Sequence, residues 1–366
     1  MPLATVPAPT QVPAAPAPVM PTAPDRRAAP PAASRQGASH PSPDPDTRRA
    51  MYRDMAMTRA FDQAATALQR QGELALWVPS LGQEAVQVGS AHALGPDDWV
   101  FPSYREHGVL QSRGVDLRQV LGLFRGAAHA SWDGADHQIH LYTLVVGAQA
   151  LPGVGYAIGM AMDGGGGAVV VYLGDGATSQ GEVCEALVWA ASSQAPVLFL
   201  IQNNGWAIST PTGTQARVEL ARRGDGFGIP GERVDGNDVE ACFGATAAAL
   251  ARIRAGQGPQ LIEAVTYRLG PHTTSDDPTR YRTADEEALW SARDPLVRAR
   301  AGLQADGLAG DDFFTEVDAA GAALAASARQ HCLGIQPPEL REWFDSVYAT
   351  PHSLVAEELA SFGGAS

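Results

Sequence analysis

The sequence lacks several features that would each specify a class of protein. Its 366 residues include only three cysteines, Cys184, Cys242 and Cys332, and no Cys-x-x-Cys pair. Neither a disulfide framework nor a zinc knuckle is therefore indicated, and a reducing compartment is favoured. No run of about 18 uncharged apolar residues occurs, so we expect no membrane-spanning helix. The absence of a Gly-x-x-x-x-Gly-Lys-Ser/Thr motif removes a P-loop nucleotide site.

Positive charge is also scarce. The chain has 26 Lys and Arg against 40 Asp and Glu, and its formal net charge is −14. The summed field of such a chain repels nucleic acid and anionic membranes. We therefore expect small molecules and other proteins as partners, no nucleic acid and no membrane, and a cytoplasmic location.

The chain is rich in apolar residues and glycine. Hydrophobic residues make up 45% of it and 39 residues are glycine, a composition typical of an α/β enzyme. Residues 1–47 differ, because Ala and Pro dominate them without hydrophobic periodicity, and they are predicted to be a disordered arm. We expect an α/β domain over 48–300 and a C-terminal helical extension over 301–366 that packs on it. Outside the central stretch, helices are predicted at 47–71, 82–94, 116–130, 150–162, 216–228, 237–256 and 339–348, and strands at 231–236 and 260–265.

Two apolar strands flank the stretch around which the chain is organised. The run 168–173 is rich in β-branched residues and ends in Gly-Asp-Gly at 174–176, while 196–201 ends in Gln-Asn-Asn-Gly-Trp at 202–206. Between them, Ser179 and Glu182 have the spacing of a capping box and predict the start of a helix. Ligands of open parallel sheets bind beyond the carboxyl ends of the strands. A ligand site is therefore predicted at these two strand ends.

The residue types at the two strand ends suit a divalent cation and a phosphate. Mg²⁺ prefers oxygen ligands and is usually shared between one or two protein groups and substrate phosphates. Asp175 can supply a carboxylate, Asn204 a side-chain carbonyl and Trp206 a main-chain carbonyl. Gly174 and Gly176 are expected to adopt positive φ and to let the main chain approach a phosphate, towards which the next helix points its positive end. Gly-Asp-Gly alone favours a simple turn, and only its pairing with Asn-Asn-Gly favours a cofactor site.

Further motifs carry a resemblance to a known family. Tyr-Arg-Glu-His-Gly at 104–108 and the long loop 267–282 are dense in aromatic and ionisable residues. With the runs 174–181, 203–211 and 234–238, they resemble, in order, the motifs of alpha subunits of the first, decarboxylating component of 2-oxo acid dehydrogenase complexes. The resemblance extends from about residue 50 to the C-terminus. It implies the thiamine-diphosphate-binding α/β fold, a mostly parallel sheet with helices on both faces.

The resemblance also implies cofactors, partners and residue roles. The cofactors are thiamine diphosphate and Mg²⁺, and a beta subunit completes a heterotetramer of two alpha and two beta subunits. That beta subunit supplies the carboxylate that hydrogen-bonds the aminopyrimidine, and no candidate for it is found here. His272 would contact the diphosphate and the intermediates and aid acyl transfer to the lipoyl acyltransferase core, and His107 is a second candidate for proton transfer. The other implied positions are the metal ligands Asp175, Asn204 and Trp206 (through its carbonyl), the diphosphate contacts Gly174, Gly176, Ala177, Tyr104 and Arg105, and the ring contacts Val146 and Ile208.

The predicted function is that of the alpha subunit of a branched-chain 2-oxo acid dehydrogenase. Such an enzyme, active only with its beta subunit, oxidatively decarboxylates 2-oxo acids of the 3-methyl-2-oxobutanoate type and passes the acyl group to a lipoyl acyltransferase. Pyruvate dehydrogenase is the alternative, because the runs 234–238 and 340–354 favour the branched-chain group whereas 145–149 and 294–298 also match pyruvate enzymes. A non-catalytic thiamine-diphosphate-binding subunit and a Mg²⁺-nucleotide module are less favoured, since Asp175, Asn204 and His272 are all present.

Overall fold

A five-stranded parallel sheet lies at the centre of the protein, which the computed structural model describes over residues 40–128 and 132–363. In chain order the strands are β1 (Trp99–Phe101), β2 (Val169–Gly174), β3 (Val197–Asn203), β4 (Trp206–Ala207), β5 (Thr210–Pro211), β6 (Gly231–Asp235) and β7 (Gln260–Val265). The order across the sheet is β1-β2-β3-β7-β6, and β4 and β5 form a separate antiparallel hairpin. The apolar runs that predicted β2, β3 and β7 form strands, and the segment predicted as strand at 231–236 forms β6.

Helices account for most of the remaining chain. They are α1 (Pro45–Arg70), α2 (Glu84–His92), α3 (His107–Ser112), α4 (Val120–Arg125), α5 (Gly134–His137), α6 (Ala150–Met162), α7 (Gly181–Ser193), α8 (Thr212–Gln215), α9 (Val239–Arg254), α10 (Ala284–Ser291), α11 (Pro295–Ala305), α12 (Asp311–Gly334), α13 (Leu340–Asp345) and α14 (Ser353–Gly363). Short 3-10 helices cover Leu117–Gln119, Gly176–Ser179, Leu220–Phe227 and Pro278–Arg280. In the described part of the chain, none of the helices is long and apolar enough to cross a membrane.

Helices cover both faces of the sheet, because successive side chains of each strand point to opposite sides. Val170 and Tyr172 of β2 belong to one apolar core, which also contains residues of α1, α2 and α9. Val169, Val171 and Leu173 belong to the other core, with residues of α6 and α7. The predicted fold class, a mostly parallel sheet between two layers of helices, is confirmed.

Several helices begin or end at other residues than predicted, and in α1 and α4 a capping residue sets the boundary. The helix α1 begins at Pro45, inside the arm predicted over 1–47, because Asp44 Oδ1 accepts hydrogen bonds from the N–H groups of Asp46 and Thr47, both at 2.9 Å. Residues 1–39 of that arm lie outside the described residues. The helix α4 ends at Arg125 because Gly126 has φ 75°, and residues 129–130 of its predicted range are not among those described. The helix predicted over 216–228 is instead the 3-10 helix 220–227.

The C-terminal residues divide into a packed part and an exposed part. Phe314 and Val317 of α12 are buried against Tyr52 of α1. In contrast, α13 and α14 are exposed, with Phe344 and Phe362 in ring contact at 5.7 Å between centroids. The helix α12 therefore belongs to the body of the protein, while the last two helices contact each other. The proposed boundary at residue 300 stays a prediction.

Candidate functional site

The carboxyl ends of β2 and β3 lie side by side at one edge of the sheet. Gly174, the last residue of β2, is in register with Gln202 of β3. Asp175 and Asn204, which follow these strands, are both almost fully buried. The structure therefore brings together the two side chains that the sequence predicted as metal ligands.

Asp175 is held by two polar side chains from the segment after the β4–β5 hairpin. Its Oδ2 lies 2.9 Å from the Thr212 hydroxyl and accepts a hydrogen bond from Gln215 Nε2 at 3.1 Å. Burial raises the pKa of the Asp175 carboxyl, and the hydrogen bonds from Thr212 and Gln215 partly offset this. The Thr212 hydroxyl is also 3.0 Å from Asn203 Oδ1, and its single proton can be donated to only one of the two oxygens at a time.

The backbone conformation of the two glycines in the Gly-Asp-Gly turn differs from the prediction. Neither Gly174 nor Gly176 is among the described residues with positive φ, so the expectation of positive φ was wrong. At Gly176 an added Cβ would lie 2.8 Å from Ala207 Cβ, whereas Gly174 has open space at that position. Gly176 is thus required by the close approach of β4, and Ala177 beside it is buried.

The predicted capping box does not form. Residues Gly176–Ser179 make a 3-10 turn, which places Gln180 at the N-cap of α7 without a side-chain capping bond. Ser179 Oγ instead lies 3.4 Å from Gln215 Oε1. Because of this 3-10 turn, α7 begins one residue later than a Ser179 cap requires. The Ser179 hydroxyl therefore does not cap the first turn of α7. The helix α7 still follows the Gly-Asp-Gly turn, with Glu182 in its first turn.

Asn204 presents its amide in a defined orientation. Its Nδ2 donates to Gln83 Oε1 at 2.9 Å, and its Oδ1 accepts from the Trp206 N–H at 3.2 Å. The indole of Trp206 donates to Glu286 at 2.9 Å, a bond that Tyr or Phe could not form in the same way. The carbonyl of Trp206 accepts a hydrogen bond from Arg268 Nη1 at 2.9 Å.

Arg268 and Arg105 join the loop 267–282 to the strand ends. Arg268 is 1% exposed and also donates to the Ile208 carbonyl, at 3.0 Å. Arg105 is 5% exposed, donates to the Pro79 and His272 carbonyls, and has its Nη2 3.3 Å from His272 Nδ1. Arg105 therefore supports the His272 loop directly, and the ring of Tyr104 stacks on its guanidinium at 5.6 Å.

His272 is a neutral imidazole in this environment. Burial, followed by the positive charges of Arg105 and Arg268, lowers the pKa of His272 to about 3. Because a guanidinium can only donate, the Nδ1 that faces Arg105 is the acceptor and the proton resides on Nε2. The main-chain N–H of His272 donates to Asp276 Oδ2 at 2.8 Å, which leaves the ring Nε2–H uninvolved in that bond. His272 can therefore offer an N–H to an anionic group without itself carrying charge.

His107 occupies a different environment, in the protein interior. It is 0% exposed, stacks on Trp77 at 4.6 Å, and has both ring nitrogens occupied, Nε2 by the Val78 carbonyl at 3.0 Å and Nδ1 by the Tyr142 hydroxyl at 2.6 Å. Burial lowers its pKa to about 3. The structure does not support the proton-transfer role suggested for His107, because both nitrogens would have to abandon buried partners.

Val146 and Ile208, the suggested ring contacts, lie at the surface. They are 40% and 53% exposed. Val146 belongs to a loop whose Gly147 approaches Gln180 and Val183 at the start of α7, so it lies near the Gly-Asp-Gly turn. Ile208 has φ 56°, a left-handed conformation that strains a β-branched residue. Both apolar side chains are therefore accessible to solvent or to a partner.

The oxygen donors fit a divalent cation shared with phosphates. Asp175, Asn204 and the Trp206 carbonyl together supply one charge and two neutral oxygens, the limited set that Mg²⁺ uses when phosphates complete its shell. No group of three or more His, Cys, Asp or Glu side chains placed to hold a metal occurs in the described residues. Arg268 shares the Trp206 carbonyl, whose two lone pairs allow two partners.

Several polar residues at the site were missed by sequence reasoning. Gln83, Thr212 and Gln215 contact the predicted metal ligands Asn204 and Asp175, and Arg268 donates to the Trp206 carbonyl. Arg268 could have been found, because it lies in a loop already singled out. Gln83 lies within a predicted amphipathic helix, where a polar residue normally indicates a solvated face, and nothing in its local sequence indicates otherwise.

An open pocket of about 460 Å³ lies between α1 and the segments 79–81 and 270–271, and none of the predicted cofactor contacts lines it. Val146 and Ile208 are exposed, whereas Asp175 and Asn204 at the strand ends are buried. Exposed apolar side chains of this kind are candidates for contact with a second component.

Comparisons with known proteins identify the family of the chain. The family model described as dehydrogenase E1 component matches residues 52–330. The chain is 45% identical over 305 residues to the 3-methyl-2-oxobutanoate dehydrogenase subunit alpha of Mycobacterium tuberculosis, with 83% of each chain covered. It is 42% identical over 267 residues to pyruvate dehydrogenase E1 component alpha subunits of Staphylococcus epidermidis and Staphylococcus aureus, with 72% of each chain covered. The predicted resemblance is confirmed, and the chain belongs to the dehydrogenase E1 component family, among the alpha subunits of 2-oxo acid dehydrogenases.

Proposed function

We propose that this chain is the alpha subunit of a branched-chain 2-oxo acid dehydrogenase that acts on 2-oxo acids of the 3-methyl-2-oxobutanoate type. The observation that carries the proposal is the 45% identity to a 3-methyl-2-oxobutanoate dehydrogenase alpha subunit over 83% of the chain. The buried Asp175–Asn204 pair at adjoining strand ends supports it. We further propose that the protein works in the cytoplasm.

Family membership implies dependence on thiamine diphosphate. When bound, this cofactor supplies the electron sink for decarboxylation. We propose that Asp175, Asn204 and the Trp206 carbonyl hold Mg²⁺. The proposed diphosphate contacts are Gly174, Gly176, Ala177, Tyr104 and Arg105, and Val146 and Ile208 would flank the rings. Arg105 keeps the His272 proton on Nε2, from which it can be donated to an anionic oxygen.

Membership among alpha subunits also implies a beta subunit and further partners in a complex. We propose that the beta subunit covers an apolar face formed by the loop 144–146, by α6 and α7, and by Ile208. Its exposed members are Leu144, Val145, Val146, Tyr156, Met162, Val188, Trp189 and Ile208, with Met162 82% and Trp189 56% exposed. Exposed apolar patches mark interaction surfaces. A beta subunit on this patch would enclose Val146 and Ile208, the proposed contacts of the cofactor rings. We propose the lipoyl acyltransferase core of the complex as a further partner.

Pyruvate is the second candidate substrate. It is favoured by the 42% identity to pyruvate dehydrogenase alpha subunits. Specificity pockets can differ by a few side chains, and one methylene is worth about 1–3 kcal/mol. The higher overall identity therefore favours the branched-chain substrate, and the choice between the two substrates is decided by experiment.

The experiment is dye reduction by this chain copurified with the beta subunit, in thiamine diphosphate and Mg²⁺. Pyruvate and 3-methyl-2-oxobutanoate are compared as substrates. We expect a preference of roughly ten-fold or more for the branched acid, the discrimination that one or two methylenes allow. The reverse preference transfers the assignment to pyruvate. Tight cofactor binding without turnover of either acid would indicate a non-catalytic subunit, and the alpha chain alone should be inactive.

A further inference from the structure

A row of buried amides connects Asn204 to Glu106. Asn204 Nδ2 donates to Gln83 Oε1 at 2.9 Å, Gln83 Nε2 to Gln202 Oε1 at 3.2 Å, and Gln202 Nε2 to Glu106 Oε1 at 2.6 Å. The four side chains come from the segment before α2, from the end of β3 and from the segment after β1, and none is more than 7% exposed. The proposed metal ligand thus ends a row of hydrogen bonds that all run in one direction.

The direction is imposed at the far end by Glu106. Its carboxylate accepts from Gln202 Nε2 at 2.6 Å, from Ser103 Oγ at 3.0 Å and from the Arg105 N–H at 3.2 Å. Burial raises the pKa of Glu106, while the hydrogen bonds from the Arg105 N–H, Ser103 and Gln202 favour the ionised form. The carboxylate form can only accept, so the NH₂ of Gln202 must face Glu106 and its oxygen must face the other way. That oxygen requires donors, and the NH₂ of Gln83 supplies one.

A second and longer contact, from Gln87, supports the same direction. Gln87 Oε1 accepts from the Gly108 main-chain N–H at 2.9 Å, while Gln87 Nε2 donates to the Arg105 carbonyl at 3.0 Å. Main-chain groups have fixed polarity, so the Gln87 amide cannot turn over without losing both bonds. The same Nε2 lies 3.1 Å from Gln202 Oε1. Gln202 is therefore held in one orientation from both sides.

We propose that Gln83 and Gln202 are positioning residues that fix the Asn204 amide, so that Oδ1 and not Nδ2 is offered to the divalent cation. Gln83 presents its oxygen to Asn204 Nδ2 because its own NH₂ is committed to Gln202. An amide turned over would place two N–H donors where a cation requires oxygen. The inference rests on the proposed function, in which Asn204 is a metal ligand.

The proposal is tested on the assembled alpha–beta enzyme by measuring Mn²⁺ binding. Electron paramagnetic resonance counts free Mn²⁺ in the presence of thiamine diphosphate and reports cation affinity without turnover. Gln83→Met keeps the length of the side chain but removes the acceptor for Asn204. We expect the Mn²⁺ dissociation constant to rise about ten-fold, the lower end of the effect of losing a group that orients a metal ligand.

Glu106→Gln tests the polarity of the row with a nearly isosteric change. The new NH₂ must face a donor, either Gln202 Nε2 or the Arg105 N–H, and the conflict favours turning Gln202 over. We expect Mn²⁺ affinity to fall about ten-fold here as well. In the double variant Gln83→Met/Glu106→Gln, the loss of Mn²⁺ affinity should be no larger than in Gln83→Met alone. The reason is that Gln83→Met already interrupts the row of hydrogen bonds between Asn204 and Glu106.

Two further variants separate the possible failures. Gln87→Met removes contacts to the main chain but leaves Glu106 holding Gln202, so thermal stability should fall while Mn²⁺ affinity stays within about two-fold. Asn204→Ala should weaken Mn²⁺ binding, and if it does not, the proposed metal site fails. If Asn204→Ala weakens binding while Gln83→Met and Glu106→Gln do not, positioning by the amide row is overturned. Additive losses in the double variant, or an equal loss in Gln87→Met, overturn it too.

Discussion

At the scale of single residues, His107 shows how burial fixes a protonation state. Its pKa of about 3 lies far below the value of about 6.5 of a free imidazole, because burial removes the water that would solvate a charged ring and the nearby Arg105 adds positive charge. The unfolded chain therefore binds a proton between these two pH values that the folded chain does not. Stability contributed by the neutral ring is complete above pH 6.5 and decreases as the pH falls below it.

A pH titration of stability measures this effect. We expect the free energy of unfolding contributed by His107 to be about 1.4 kcal/mol smaller at pH 5.5 than at pH 7.5. His107→Gln keeps a donor for the Val78 carbonyl but cannot be protonated, so this part of the pH dependence should disappear. Urea unfolding of both proteins at both pH values gives the comparison. Equal pH dependence in the two proteins would contradict the assignment.

Ile208 is a second residue whose conformation has a measurable cost. A left-handed backbone destabilises a β-branched residue by about 1–2 kcal/mol, and the side chain is 53% exposed, so little packing compensates. Ile208→Asn, which tolerates this conformation, should raise the free energy of unfolding by about 1 kcal/mol while weakening thiamine diphosphate binding.

The matched control for this prediction is Ile208→Val. It keeps the branched side chain and the strain, so we expect little change in stability and nearly unchanged cofactor affinity. Thermal unfolding and cofactor titration of the assembled enzyme measure both quantities. A loss of stability in Ile208→Asn would mean that the Ile side chain stabilises the fold more than its backbone strains it.

At the scale of elements, the contact between the Gly-Asp-Gly turn and the β4–β5 hairpin positions the site. An added Cβ at Gly176 would lie 2.8 Å from Ala207 Cβ, next to the Trp206 carbonyl. Gly176→Ala should push the hairpin away, lower stability by about 1–3 kcal/mol as in other overpacked contacts, and weaken binding of the cofactor and the metal. Gly181→Ala, where the added Cβ meets open space, should leave both unchanged. Cofactor titration and thermal unfolding of the two variants decide the point, and equal behaviour would refute a role for the close approach.

The elements themselves were largely predictable from sequence, because β2, β3 and β7 are apolar runs of strand length with no competing periodicity. The pairing of Asp175 with Asn204 followed from the rule that parallel strands end at one edge. The 3-10 turn at Gly176–Ser179 could not be predicted, since the Ser179 and Glu182 spacing also matches a capping box. Contacts such as Gln83 to Asn204 join residues 121 positions apart, and a single sequence gives no signal for them.

At the scale of the whole molecule, the apolar face around α6 and α7 is the proposed contact surface for the beta subunit. Trp189, 56% exposed on α7, should be among its main contacts, since tryptophan is enriched among residues that dominate interface energies. Trp189→Asp should weaken assembly with the beta subunit by about 2 kcal/mol or more, with loss of copurification and of activity. Val297→Asp, on α11 and 65% exposed, is the matched change on another surface and should assemble normally. If both variants copurify equally well, the proposed face is not the interface.

Both edges of the central sheet have features that disfavour the addition of another strand. At β1 the Val100 N–H donates to the Gln138 carbonyl at 2.9 Å, and the Val100 carbonyl accepts from the His140 N–H at 2.8 Å. At β6 the charged Glu232 and Arg233 pair with other side chains, Glu232 with His40 at 2.8 Å. Free strand edges template the stacking that leads to amyloid, and short, charged or occupied edges prevent it. The exposed apolar side chains of α6 and α7, rather than the edges of the sheet, are therefore the surface through which alpha chains without a partner would associate non-specifically.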